Sequence, residues 1–152
     1  MATVKIKNLD SLINKLNGLA NMDLSTVVKN TTLEVQARAK ALAPVGETGN
    51  LKGSIRADVK KKGTFIEGKV STNLHYAPYV EFGTGSKGNS TYPYNIKDVI
   101  LTYRSTPWAF VKDDKVIWSN GQVAQPFMYP AVKGAEKSLR KLIKEQVKKE
   151  VK

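Results

Sequence analysis

The stretch Tyr76-Ala77-Pro78-Tyr79-Val80-Glu81-Phe82-Gly83-Thr84-Gly85 limits what this chain can fold into more than any other. It gathers three aromatic rings and a valine around a single carboxylate, then breaks on Gly-Thr-Gly. Pro78 fixes its own φ and pushes Ala77 towards extended geometry. Proline is tolerated in a first turn, so the spacing predicts a short helical turn from Pro78 to Phe82. Gly83 is expected to stop it in a left-handed conformation. Glu81, between Val80 and Phe82, reads in one of two ways. It is a solvated carboxylate beside a hydrophobic anchor, or it enters a structural ion pair or an intersubunit contact.

Two further stretches accompany it. One is Ala43-Pro44 followed by Thr48-Gly49-Asn50-Leu51-Lys52-Gly53-Ser54-Ile55; the other is Gln125-Pro126-Phe127-Met128-Tyr129-Pro130-Ala131. In this order, and over most of the chain, the three resemble the signature of a bacteriophage family of head–tail joining, or tail-completion, proteins. The resemblance is carried by Thr48, Gly49, Leu51 and Ser54, by Tyr76, Ala77, Tyr79, Glu81, Phe82, Gly83 and Thr84, and by Pro126, Phe127, Pro130 and Ala131. It implies a structural virion protein at the neck, or head-proximal tail end, of a long non-contractile tail, made in the host bacterial cytoplasm. It implies a homo-oligomeric ring, other phage neck, connector or tail proteins as partners, and no catalysis. Phe82 and Phe127 read as core anchors, and Glu81 and Thr84 as polar groups that fix a loop.

Composition narrows the rest. A chain of 152 residues suits one domain with one sizeable core. With no cysteine, disulfides and thiolate-bound metals are excluded. The N-terminal residues Met1 to Lys7 hold no apolar run of signal-peptide length, no segment reads as a membrane span, and no membrane partner is expected. The formal net charge of +12 favours an anionic partner. Lys60, Lys61, Lys62, Lys141, Lys144 and Lys148 are the candidate contacts to packaged DNA, without sequence preference. A basic, sequence-nonspecific nucleic-acid-binding module is therefore the alternative reading; dispersed lysines also serve solubility alone.

Along the chain, Leu9, Leu12, Ile13, Leu16 and Leu19 recur at helical spacing behind Asp10, a candidate cap, and end near Gly18. A second helix runs from Asp23 or Ser25 to about Leu42, with Val27, Val28, Thr31, Val35, Ala39 and Leu42 as its buried stripe. Val45 to Gly53 reads as loop. Two strands follow, with Val59 expected opposite Ile66, Ala57 opposite Gly68 and Ile55 opposite Val70. Residues 86–122 read as an inserted excursion: a polar loop, then a hairpin turning at Asp113-Asp114, with Phe110 facing Ile117 and Val111 facing Val116; since Asp-Asp is a poor two-residue turn pair, a four-residue loop is the alternative. Trp108 and Trp118 suggest that one hairpin face is covered, by the core or by a partner. Pro130 is expected at the first position of a C-terminal helix whose stripe is Val132, Ala135, Leu139, Leu142, Ile143, Gln146 and Val147. The whole reads as a single α+β domain, 1–152. An antiparallel sheet of about four to five strands packs against the N-terminal helices and the C-terminal helix.

Three patterns invite chemistry. Gly83-Thr84-Gly85-Ser86-Lys87-Gly88 matches the dinucleotide-binding glycine pattern, yet no βαβ unit surrounds it. Gly46-Glu47-Thr48-Gly49 resembles a phosphate-clamping RNA loop, but its glutamate would repel phosphate. His75 is the only histidine and has no evident catalytic or metal-binding partner. No cofactor, metal or enzymatic activity is expected.

Overall fold

A computed structural model describes residues 9–96 and 99–151, with the side chains of Leu9 and Asp10 outside the description. The chain is α+β, and helices dominate. Helix α1 (Leu9–Ala20) leads into α2 (Ser25–Leu42), a short α3 (Asn50–Ser54), and the hairpin β1 (Arg56–Lys62) and β2 (Phe65–Ser71). Short helices α4 (Ala77–Phe82) and α5 (Gly85–Thr91) come next. A second hairpin follows, β3 (Trp108–Lys112) and β4 (Lys115–Ser119), and α6 (Met128–Val151) is the last element. Asp10 thus lies inside α1 rather than ahead of it, and α1 runs past Gly18.

Helices α2 and α6 pack side by side in opposite directions. Ser138 Oγ donates to Glu34 Oε1 at 3.2 Å, and the Arg38 guanidinium lies over Gly134. Between them and the first hairpin sits the core of Val35, Ala39, Ala43, Leu51, Ile55, Ala77, Phe127, Ala131 and Ala135. Alanines at the helix crossing let the backbones approach. Ala131 and Ala135 are therefore the buried positions of α6, and the expected Val132 is half exposed. Leu42 is exposed as well, while Thr31 and Thr32 are buried because their hydroxyls donate back to Val27 O and Val28 O. Strand β2 meets α2 where Gly68 lies under Thr32 and Val28, with no room for a side chain.

Among the described residues the expected four- to five-stranded sheet does not form. The strands make two separate antiparallel ribbons, β1–β2 and β3–β4. The first is covered by α2, so helix rather than further strand supplies its apolar cover.

Its register also differs from expectation by two residues. Val59 pairs with Gly68, Ala57 with Val70 and Lys61 with Ile66. A shift of two keeps every side chain on its face. The reason is the turn: Gly63, with φ 59°, is the first of a two-residue loop, where a type II′ turn wants glycine. This register also sets Asp58 against Lys69 and Lys60 against Glu67, removing the Asp58–Glu67 clash of the other.

Two segments expected as loop are helical. Asn50–Ser54 turns once behind Gly49, whose φ of 62° starts it, and buries Leu51. Residues 85–91 form α5, where Thr91 Oγ1 donates to Lys87 O at 2.6 Å and Ser90 Oγ to the same oxygen at 3.1 Å. The second hairpin matches its expected register, with Phe110 opposite Ile117 and Val111 opposite Val116. Asp113 and Asp114 close it in two residues, at φ 51° and 57°.

Candidate functional site

The three sequence stretches converge. A groove of about 460 Å³ is lined by Pro44, Thr48, Gly49 and Leu51 from the first and by Tyr76 and Val80 from the second. Gln122, Val123 and Gln125 complete it and lead into the third. Leu51, Ala77, Phe127 and Ala131 meet below in the core. Ser54 bonds Thr72 Oγ1 at 2.6 Å and so ties α3 to the end of β2.

Glu81 is the centre of the arrangement. The residue is only 5% exposed, yet no cation pairs with its carboxylate among the described residues. Its partners are the backbone N–H groups of Phe127 at 2.7 Å and Met128 at 2.8 Å, both to Oε2, and of Tyr129 at 3.0 Å to Oε1. These are the orphan donors at the start of α6, where the helix dipole favours negative charge. The next residue, Pro130, has no N–H to satisfy. One side chain thus satisfies the start of a helix begun 47 residues later. Helix α6 starts at Met128, with Pro130 as its third residue rather than its first. Glu81 is therefore neither solvated nor half of an ion pair; it caps a distant helix.

Around it runs a chain of rings. Phe82 meets Tyr92 at 5.2 Å, Tyr92 meets Tyr94 at 5.7 Å, and Tyr94 meets Tyr129 at 4.8 Å. Phe82 is half-buried against this chain, whereas Phe127 is fully enclosed in the core. The Tyr92 hydroxyl is buried with no hydrogen-bond partner among the described residues. Burial, then the neighbouring Glu81 charge, push its pKa up to about 12.

The glycine pattern is a packing device. A Cβ on Gly83 would stand 2.6 Å from Gly88 Cα and 2.7 Å from Gln122 O. Gly83 also has φ 73° and ψ −174°, a region essentially reserved to glycine. The chain that leaves α4 and the chain that returns to α6 are stitched there. Thr84 N–H donates to Gln122 O, and Gln122 N–H donates to Thr84 Oγ1, each at 3.0 Å. Gln125 N–H donates to Val80 O at 2.8 Å, and Tyr103 Oη to Phe82 O at 3.0 Å. Thr84 therefore does fix a loop. Gln122, Tyr92 and Tyr103 belong to the site although nothing in their local sequence marked them. A helix, α4, precedes the glycines, not the strand that a dinucleotide site requires.

Beyond the stitch the second hairpin stands out as an arm. Arg104 sits 5.5 Å over the Trp108 ring at its root. Further out, Phe110 (44%), Val111 (69%), Val116 (66%) and Trp118 (72%) are exposed. Of the two covers considered for the tryptophans, the core does not supply one for Trp118, because the ribbon packs chiefly on itself. Helix α1 likewise exposes Leu12, Ile13 and Leu16.

Of the remaining sequence candidates, Thr48 is exposed, Tyr79 is 55% exposed, and Pro126 is half-buried. His75 is exposed, edge-on to Tyr76 at 5.6 Å. Lys60 pairs with Asp58 at 3.1 Å, and Lys61 approaches Asp23 at 3.9 Å. Among the described residues no three acidic or histidine side chains converge to hold a metal ion, and no helix is long and apolar enough to cross a membrane.

The profile of the family described as "Bacteriophage HK97-gp10, putative tail-component" matches residues 7–83, half of the chain. The chain belongs to this HK97-gp10-like family. No curated protein and no solved structure matches it. The HK97-gp10-like profile ends at Gly83, where the stitch begins. It therefore covers the first motif and the second as far as Gly83, and the fold brings the third, Gln125–Ala131, onto them through Glu81.

Proposed function

We propose that this chain is a structural subunit of a phage tail that acts as a ring at the neck, completing the tail or joining it to the DNA-filled head. Membership of the HK97-gp10-like family supports the tail assignment. The observation that carries the ring is the bare apolar surface of the monomer: the arm with Trp118 and Val111, and the stripe of Leu12, Ile13 and Leu16 on α1. An isolated two-stranded ribbon is marginal in water, and exposed contiguous apolar surface marks an interaction site. Neighbouring copies in a ring would cover both. We take the role as structural rather than catalytic: among the described residues the one buried acid, Glu81, commits its oxygens to backbone donors.

Electron microscopy of a lysate lacking this protein is the test. The expected result is DNA-filled heads beside tails that are unattached or abnormal at the head-proximal end. Empty heads with normal tails would assign the protein to packaging instead. Infectious particles at wild-type yield would remove the joining role.

A further inference from the structure

Helix α6 turns Ala131 and Ala135 inward and a row of cations outward. Lys137, Lys141, Lys144 and Lys148 fall at spacings of three and four residues, Arg140 stands beside Lys141, and together they line a shallow surface groove with Glu145. The row rises about 16 Å along the axis, with five cations in that length. Two acids flank it. Glu136 pairs with Arg140 at 2.8 Å, and Glu145 approaches Lys141 at 3.9 Å. Lys137, Lys144 and Lys148 have no carboxylate within ion-pair distance among the described residues. Like charges at these spacings repel and weaken a helix. Lys137–Lys141, Arg140–Lys144 and Lys144–Lys148 all do so here, and a bound polyanion would remove that repulsion.

We propose that this ridge of α6 is a docking face for the phosphate backbone of duplex DNA. The composition of the ridge selects the partner. It has no aromatic ring on which an unpaired base could stack. It has no apolar residue to enter a lipid surface or to form the centre of a protein interface, where lysine is depleted. Flexible lysines act as point charges and suit phosphates whose register is not fixed. Contact of this kind is sequence-blind and releases counterions. The lysines of the first hairpin differ: Lys60 and Lys61 already have carboxylates near them. The face is a property of the folded chain and does not depend on the neck reading.

The test uses the purified full chain and a mixed-sequence duplex of about 30 base pairs, with binding followed by fluorescence anisotropy across a salt series. Lys137→Gln/Lys144→Gln/Lys148→Gln is compared with Lys60→Gln/Lys61→Gln/Lys62→Gln, which removes equal charge elsewhere. The ridge variant is expected to flatten the slope of log affinity against log salt by about 2–3, since each lost phosphate contact is worth about 0.9. It should also melt no lower than wild type, which separates lost contact from lost fold. The hairpin variant should change the slope by less than half as much. Equal losses in both variants would overturn the proposal in favour of net charge alone. So would an unchanged slope in the ridge variant, or no binding by the wild-type chain at about 50 mM salt. A ridge variant that keeps its DNA affinity but no longer enters particles would overturn it in favour of an acidic protein partner.

Discussion

At the scale of single residues, the buried carboxylate of Glu81 decides most. Glu81→Ala removes the acceptor from three N–H groups at once. Each buried donor left unmade costs roughly 1–3 kcal/mol, offset in part by no longer burying a charge. A net loss of about 3 kcal/mol is expected in urea unfolding, with Glu81→Gln losing less because one carbonyl oxygen remains. Tyr92 acts on pH. Its folded pKa of about 12 lies above the value near 10 of an unfolded chain, so its contribution is whole below pH ~10. It falls away as pH rises towards 12, where the unfolded state binds fewer protons. Burial raises the Tyr103 pKa as well, with the same sign. Circular dichroism against pH should show unfolding in that window, and Tyr92→Phe should shift its onset upward. At neutral pH the same variant should be neutral or slightly stabilising, because it removes a hydroxyl with no partner. The oddity of Glu81 between Val80 and Phe82 was legible in the sequence. Its donors were not, because residues 127–129 reach it only through the fold.

At the scale of elements, legibility followed the range of the forces involved. Helix α2 and the Asp113-Asp114 hairpin could be read because periodicity and register are local. The β1–β2 register slipped because a single glycine at the turn outweighed alternation that fits either pairing. Helix α5 was missed because glycine, serine and asparagine spell loop. It forms where Gly83 and Gly88 let two backbones touch. The second hairpin offers a direct experiment. Both turn residues hold left-handed φ, a conformation that aspartate tolerates and glycine adopts freely. Asp114→Gly should stabilise the ribbon by up to ~1 kcal/mol, by the cost of left-handed backbone in a residue with a Cβ. Slower amide hydrogen exchange along β3 and β4 is the readout, with little change in the global midpoint.

At the scale of the molecule, a body of helices and one hairpin carries an arm that the body does not cover. The four- to five-stranded sheet was inferred by counting strands, but strands join only where their edges meet, and among the described residues each ribbon pairs only within itself. The tie between Glu81 and α6 also has a consequence for the order of synthesis. A chain made as far as Pro126 carries the acceptor and none of its donors. It also lacks Phe127, Ala131 and Ala135, three members of the core. Until those last residues leave the ribosome, Glu81 lacks its backbone donors and α2 lacks its largest helical partner, α6. The body therefore closes late, and a fragment cut short before α6 would be left open to proteases.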